Sequence, residues 1–188
     1  MDLESVHDYA NALRLGRQMD EGLFIVFEAP IDETLIAHYA RLQDELDVQL
    51  IPAGYNVYSP AFIRQGIEAE AWDAARFDAT VVGGISAALE LLVMANEAGL
   101  PVDIQSWGHS LAQAANLHLM LANDRTHFFE APMPREPFEF GMKNGKLLDG
   151  GMVVAPEGPG LGIEVDWAGL AVADFHSHIE LDFSDVSE

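Results

Sequence analysis

The sequence predicts an α/β fold of repeated strand-helix units, arranged as in a (β/α)8 barrel, followed by an irregular C-terminal segment. Three observations predict it. Short apolar runs alternate with stretches whose apolar residues recur at helical spacing, the pattern of βαβ units and a parallel sheet. A polar residue stands at or just beyond the end of each run: Asp2 (were a strand to end there), Glu28, Tyr55, Asp78, Gln105 and Glu130, at gaps of 26, 27, 23, 27 and 25 residues. Each gap is one strand-helix unit, and in barrels of this kind functional groups sit at the C-terminal ends of successive strands. The composition agrees, because 188 residues that are 49% hydrophobic and 21% charged can build one ordinary globular domain.

The elements follow in order. Residues 5–19 carry Val6, Tyr9, Ala10, Leu13 and Leu15 at helical rather than alternating spacing, and LFIVF (23–27) then reads as a short buried strand. Residues 33–46 look helical, 48–51 strand-like and 60–71 helical again, with a weak strand around Phe77. The clearest helix is 84–98, with Ile85, Ala88, Leu89, Leu92 and Ala95 on one stripe and Gly99 placed to end it. A strand at 101–104, a helix at 111–122 and a last strand at 126–129 (THFF) complete the series. After Glu130 the pattern breaks into APMPREP and APEGPGLG, so 131–188 reads as an irregular tail that covers part of the 1–130 unit. GPGLG lacks the strand-then-helix setting of a phosphate loop and reads as a turn.

Composition excludes whole classes of function. There are 31 acids against 9 bases, a net charge of −22, and no cysteine. Nucleic acid is excluded as a partner, since Lys143, Lys146 and seven scattered arginines make no basic patch. Without cysteine there is no disulfide, thiolate nucleophile or thiolate-held metal. No run of apolar residues is long enough to span a membrane and MDLESVHDYA is not a signal sequence, so a cytoplasmic protein is expected. Most of the acids read as a hydrated coat of the kind salt-adapted proteins carry.

The blocks FEAP (27–30), FDATVVGGI (77–85), GLPVDIQSWG (99–108), AANLHLMLA (114–122), FFEAPMP (128–134) and PGLGIEVDW (159–167) resemble the barrel domain of the mandelate racemase and muconate lactonizing enzyme group of the enolase superfamily. Order and spacing match from residue 2 to about residue 167. The resemblance implies the region of barrel strands 3 to 8 and a Mg²⁺ held by carboxylates at successive strand ends. It also implies removal of the proton α to a substrate carboxylate, as in a sugar-acid dehydratase, a racemase or a cycloisomerase acting on a small hydroxy acid. Enolase-type sites divide the work between a Lys or His base and the metal.

Carried over residue by residue, the resemblance makes Asp2 and Glu28 metal ligands. Tyr55, in Gly54-Tyr55-Asn56, stands where the third carboxylate belongs, and a phenol is a poor ligand for a hard cation. Glu4, two residues after Asp2, is placed to compensate. Asp78 matches the acid of a His-Asp dyad, but its partner position, 105, holds Gln, which cannot shuttle a proton as imidazole does. Gln105 and Glu130 are then expected to hydrogen-bond the substrate, with Asp78 in support and Tyr55, Asn56 and Trp107 near it. The family's Lys base has no counterpart in this chain. Five strands and the tip of a sixth do not close a barrel, so the resemblance implies self-association or completion by an N-terminal part. The alternative is a binding module that keeps the barrel's shape without its chemistry. His176 and His178 (DFHSH) read as tail residues rather than ligands. His109, His118, His127 and the seven methionines read as packing.

Overall fold

The structure is a computed structural model, and it describes residues 1–56, 59–126 and 128–172. Its elements are α1 (Tyr9–Glu21), β1 (Val26–Glu28), α2 (Ile36–Glu45), β2 (Gln49–Ile51), α3 (Pro60–Glu68), β3 (Ala75–Phe77), α4 (Ile85–Glu97), β4 (Val102–Ile104) and α5 (Ser110–Leu121). Beyond them lie the single turn α6 (Glu136–Glu139), a small antiparallel pair β5 (Leu148–Asp149) and β6 (Met152–Val153), and α7 (Trp167–Val172). His127, His176 and His178 fall outside the described residues.

Each strand is three residues long, VFE, QLI, ARF and VDI, and sets its apolar side chains on the face that the intervening helices cover. β1 pairs parallel with β2 and β3 with β4, in registers that set Phe27 opposite Leu50 and Phe77 opposite Ile104. Residues 1–3 extend the first pair: Glu28 donates its N–H to the Met1 carbonyl at 2.8 Å, and Leu3 to the Glu28 carbonyl at 3.2 Å. Between β2 and β3 a side chain stands in for the ladder. Asp73 donates its N–H to the Leu50 carbonyl (3.0 Å), while its Oδ2 accepts the Leu50 N–H (2.7 Å).

The two-residue period of a strand sorts its side chains. Phe27, Leu50, Phe77, Val102 and Ile104 point at the helices and are fully buried there, against Tyr39, Leu42, Trp72, Leu91 and Leu92. The opposite parity carries Glu28, Arg76, Asp78, Asp103 and Gln105. One face therefore makes the core and the other makes a polar interior. Helix ends are conventional: the Asp8 carboxylate caps α1 by accepting the Asn11 N–H at 2.8 Å, and Pro60 opens α3.

One expectation changes. Thr126, Phe128 and Phe129, placed in a last strand by their composition, are not in one, and Glu130 is held instead by Ser106, whose Oγ accepts its N–H at 2.7 Å and donates to its carbonyl at 3.1 Å. Asp124 and Arg125 turn the chain before it, and a side-chain hydroxyl meets the Glu130 backbone where a neighbouring strand would. The described part of the segment after Glu130 contains α6, the β5–β6 pair and α7. It covers α5: Ser110 Oγ contacts the carbonyls of Phe138 (3.0 Å) and Gly145 (2.9 Å), and Leu147 is buried. That cover explains why α5 is buried on more than one stripe. His109 caps α5 and reaches the Phe140 carbonyl, and His118 faces the Leu161 carbonyl, so both are packing residues.

Candidate active site

Where the parallel strands end, the polar parity opens into a cleft of about 830 Å³. Asp2, Glu28, Tyr55, Asp78, Gln105 and Glu130 all line it, together with Glu4, Arg76 and Trp107. Six residues separated by a whole strand-helix unit each are thus brought onto one surface. Asn56 is not among the lining residues; its backbone N–H and that of Gly54 are bound by the two oxygens of the buried Glu33, both at 2.9 Å.

Arg76 is the feature that spacing did not disclose. It is the middle residue of β3, its side chain is 5% exposed, and its Nη2 meets Glu130 Oε1 at 2.7 Å and Glu28 Oε1 at 3.0 Å. Its Nε donates to the Ala53 carbonyl at 3.1 Å. The loop after β2 is shaped around it: Gly54 has φ +80°, and a Cβ there would stand 2.6 Å from Arg76 Cγ. The signal was present in the sequence, because a basic residue inside an apolar strand (AARF) needs a buried partner.

Charge in the cleft is strongly coupled. Burial pushes the Glu28 carboxyl up to about 7; Arg76 pulls the other way, and the nearby Glu130 and Asp2 carboxylates add to the rise. Burial would lower the Arg76 guanidinium, but Glu130 and Glu28 outweigh it and hold it above its ordinary value. The Tyr55 phenol is raised by burial and by its hydrogen bond to Glu4. Asp78 is fixed by three donors on one oxygen, the Thr80 N–H, the Thr80 hydroxyl and the Asn116 amide, each at 2.8 Å. Gln105 is 7% exposed and its Oε1 has no hydrogen-bond partner, so an acceptor stands ready at the cleft wall. Trp107 lines the cleft and also packs edge-on against Phe138, with ring centroids 4.8 Å apart, so it walls the cleft and contacts the C-terminal segment at once.

Helix-strand units with their polar side chains gathered at the strand ends define an α/β class of fold consistent with part of a barrel. The chain belongs to the enolase superfamily: the model of its "Enolase C-terminal domain-like" family matches residues 1–169, and its structural neighbours are of the mandelate racemase/muconate lactonizing enzyme group. A solved structure assigned to that group from Pseudovibrio sp. is 31% identical with a TM-score of 0.86, over 93% of this chain and 47% of that one. Another, from Bordetella bronchiseptica RB50 and solved in complex with 2-oxoglutarate/phosphate, is 28% identical with a TM-score of 0.85, over 95% of this chain and 49% of that one. Arabinonate dehydratase from Saccharolobus solfataricus is 27% identical over 167 residues, 88% of this chain and 44% of the enzyme. The chain therefore spans about half the length of the relatives it matches.

Members of this superfamily generally use Mg²⁺. The donor set here does not fit one. Glu28, a ligand by resemblance, has an oxygen on the Arg76 guanidinium, and Tyr55 offers a protonated phenol tied to Glu4. Among the described residues no group of three or more His, Asp or Glu is placed to hold a metal ion. Among them, too, no helix is long and apolar enough to cross a membrane.

Proposed function

We propose that this chain supplies the strand-end face of a lyase or isomerase site for a small hydroxy acid of the sugar-acid kind, within an incomplete (β/α)8 barrel. The site would handle the proton α to the carboxylate, as a dehydratase or racemase does. One observation carries the reading: Asp2, Glu28, Asp78, Gln105 and Glu130, spread over the whole 1–130 unit, line a single cleft. The likeness to an arabinonate dehydratase supports the substrate class. In this reading Gln105 accepts a hydrogen bond from a substrate hydroxyl, and Glu130, oriented by Arg76 and Ser106, bonds the substrate's polar end. Asp78, with one oxygen saturated, keeps the other for the cleft; Trp107 and Tyr55 wall it. Exposed apolar residues Leu23, Phe24 and Ile25 beside β1 suit completion of the barrel by a further segment or a second copy.

A second reading is favoured by the Arg76 ion pairs and by Gln at position 105: a binding module that holds the same kind of ligand without turning it over. Proton NMR in D₂O over a panel of aldonates, arabinonate included, separates the two. Loss of the C2 proton signal establishes α-proton abstraction. Line broadening of an aldonate with no exchange selects the binding module, and neither exchange nor broadening with any member refutes both.

A further inference from the structure

We propose that Arg76 is a built-in cation that occupies the carboxylate pair of the cleft, so that the site does not take up a divalent metal while the guanidinium is in place. The inference rests on the strand-end cleft being the functional site, but on no particular activity.

Geometry makes the guanidinium and a metal alternatives. Nη2 lies 2.7 Å from Glu130 Oε1 and 3.0 Å from Glu28 Oε1. Divalent cations sit ~2.0–2.6 Å from carboxylate oxygens, so an ion bridging these two would compete with Nη2 for the space between them. The guanidinium is not free to leave. Its stem passes over Gly54, where a side chain would collide with it, and its Nε is anchored on the Ala53 carbonyl. Withdrawing it would leave a buried unpaired cation, the costly half of a broken ion pair.

The neighbouring residues agree. A third carboxylate is missing at Tyr55, and Glu4, the acid placed to replace it, has an oxygen engaged by the Tyr55 hydroxyl, so of the cleft's remaining acids only Asp2 stands among the ligand positions that the resemblance implies. A merely structural Arg76 makes a different prediction: it would tie the strands together and leave the metal affinity of the cleft unchanged when replaced.

Mn²⁺ titration followed by electron paramagnetic resonance, on the full chain, tests this directly. The native protein should show no stoichiometric Mn²⁺ site at millimolar metal. Arg76→Gln should bind one Mn²⁺ about tenfold more tightly or better, since a unit positive charge held against the same carboxylate oxygens is removed. Adding Glu28→Gln to that variant should abolish the gain. Tyr55→Glu, which restores a carboxylate but keeps the guanidinium, should gain nothing. A stoichiometric site in the native or Tyr55→Glu protein overturns the proposal, as does a folded Arg76→Gln that binds no better than native. If Arg76→Gln fails to fold, the native and Tyr55→Glu titrations decide alone. Because the readout is bound metal, a negative result here is distinct from failure of the aldonate exchange experiment.

Discussion

Replacing Glu28 by Gln should make the protein more stable at pH 8 and change it little at pH 5. Glu28 titrates at about 7 in the folded chain, against an ordinary 4.5, because it is buried beside Glu130 and Asp2. The folded state therefore holds a proton to higher pH than the unfolded chain does. That contribution to stability is complete below about 4.5 and is lost as the pH rises through about 7. Full linkage over that span amounts to ~3.4 kcal/mol. The side chain keeps 18% of its exposure, and solvent screening brings the expected effect to ~1–2 kcal/mol. Gln resembles the protonated carboxyl in shape and charge, so the variant should lack this part of the pH slope. Arg76 is not orphaned by the change, since Glu130 remains 2.7 Å away. Urea midpoints at pH 5 and pH 8, at constant ionic strength, read the difference between variant and native and so cancel the titration of the remaining acids. A variant with the native pH slope, or one weakened by about 1 kcal/mol or more at pH 8, refutes the reasoning.

Two further substitutions probe the frame around the cleft. Gly66→Ala should destabilise by ~2 kcal/mol, because its Cβ would stand 1.9 Å from Cη2 of the buried Trp72, and the helix-propensity gain of Ala is smaller than that overpacking. Thermal melting should show a drop of ~4–8 °C, and an unchanged midpoint would contradict it. Asn116→Ala should lose ~2–3 kcal/mol, because fully buried Asn116 accepts the Ala79 N–H at 2.9 Å and donates to Asp78 at 2.8 Å. Asn116→Asp, which sets a second carboxylate against Asp78, should be worse than Ala in the same denaturation assay.

Legibility differed by residue. Phe27, Leu50, Phe77 and Ile104 were readable as core because apolar runs of strand length have few other uses, and the polar residue after each was readable as an exit from the sheet. Gln105 and Glu130 were reached by counting units, and they do line the cleft. Glu33 was not reached, since a carboxylate that binds the backbone of a loop twenty residues away leaves no local pattern. Nor was the loss of the last strand: THFF has strand composition, but Ser106 holds Glu130 through a side chain rather than a ladder.

By itself the sequence determined the alternation of elements, the parity that divides core from cleft, and the recurrence of polar residues at strand ends. These are local properties, decided by side-chain periodicity within a few residues. Only the tertiary structure decided what the cleft's charges do to one another. Glu28 and Glu130 stand far apart in the chain and carry the same sign, and folding sets both on one guanidinium nitrogen of Arg76. Coulomb interactions depend on distance in space and on burial, so acids that look interchangeable in a chain of net charge −22 become a buried carboxyl, an ion-pair partner and a hydrated coat.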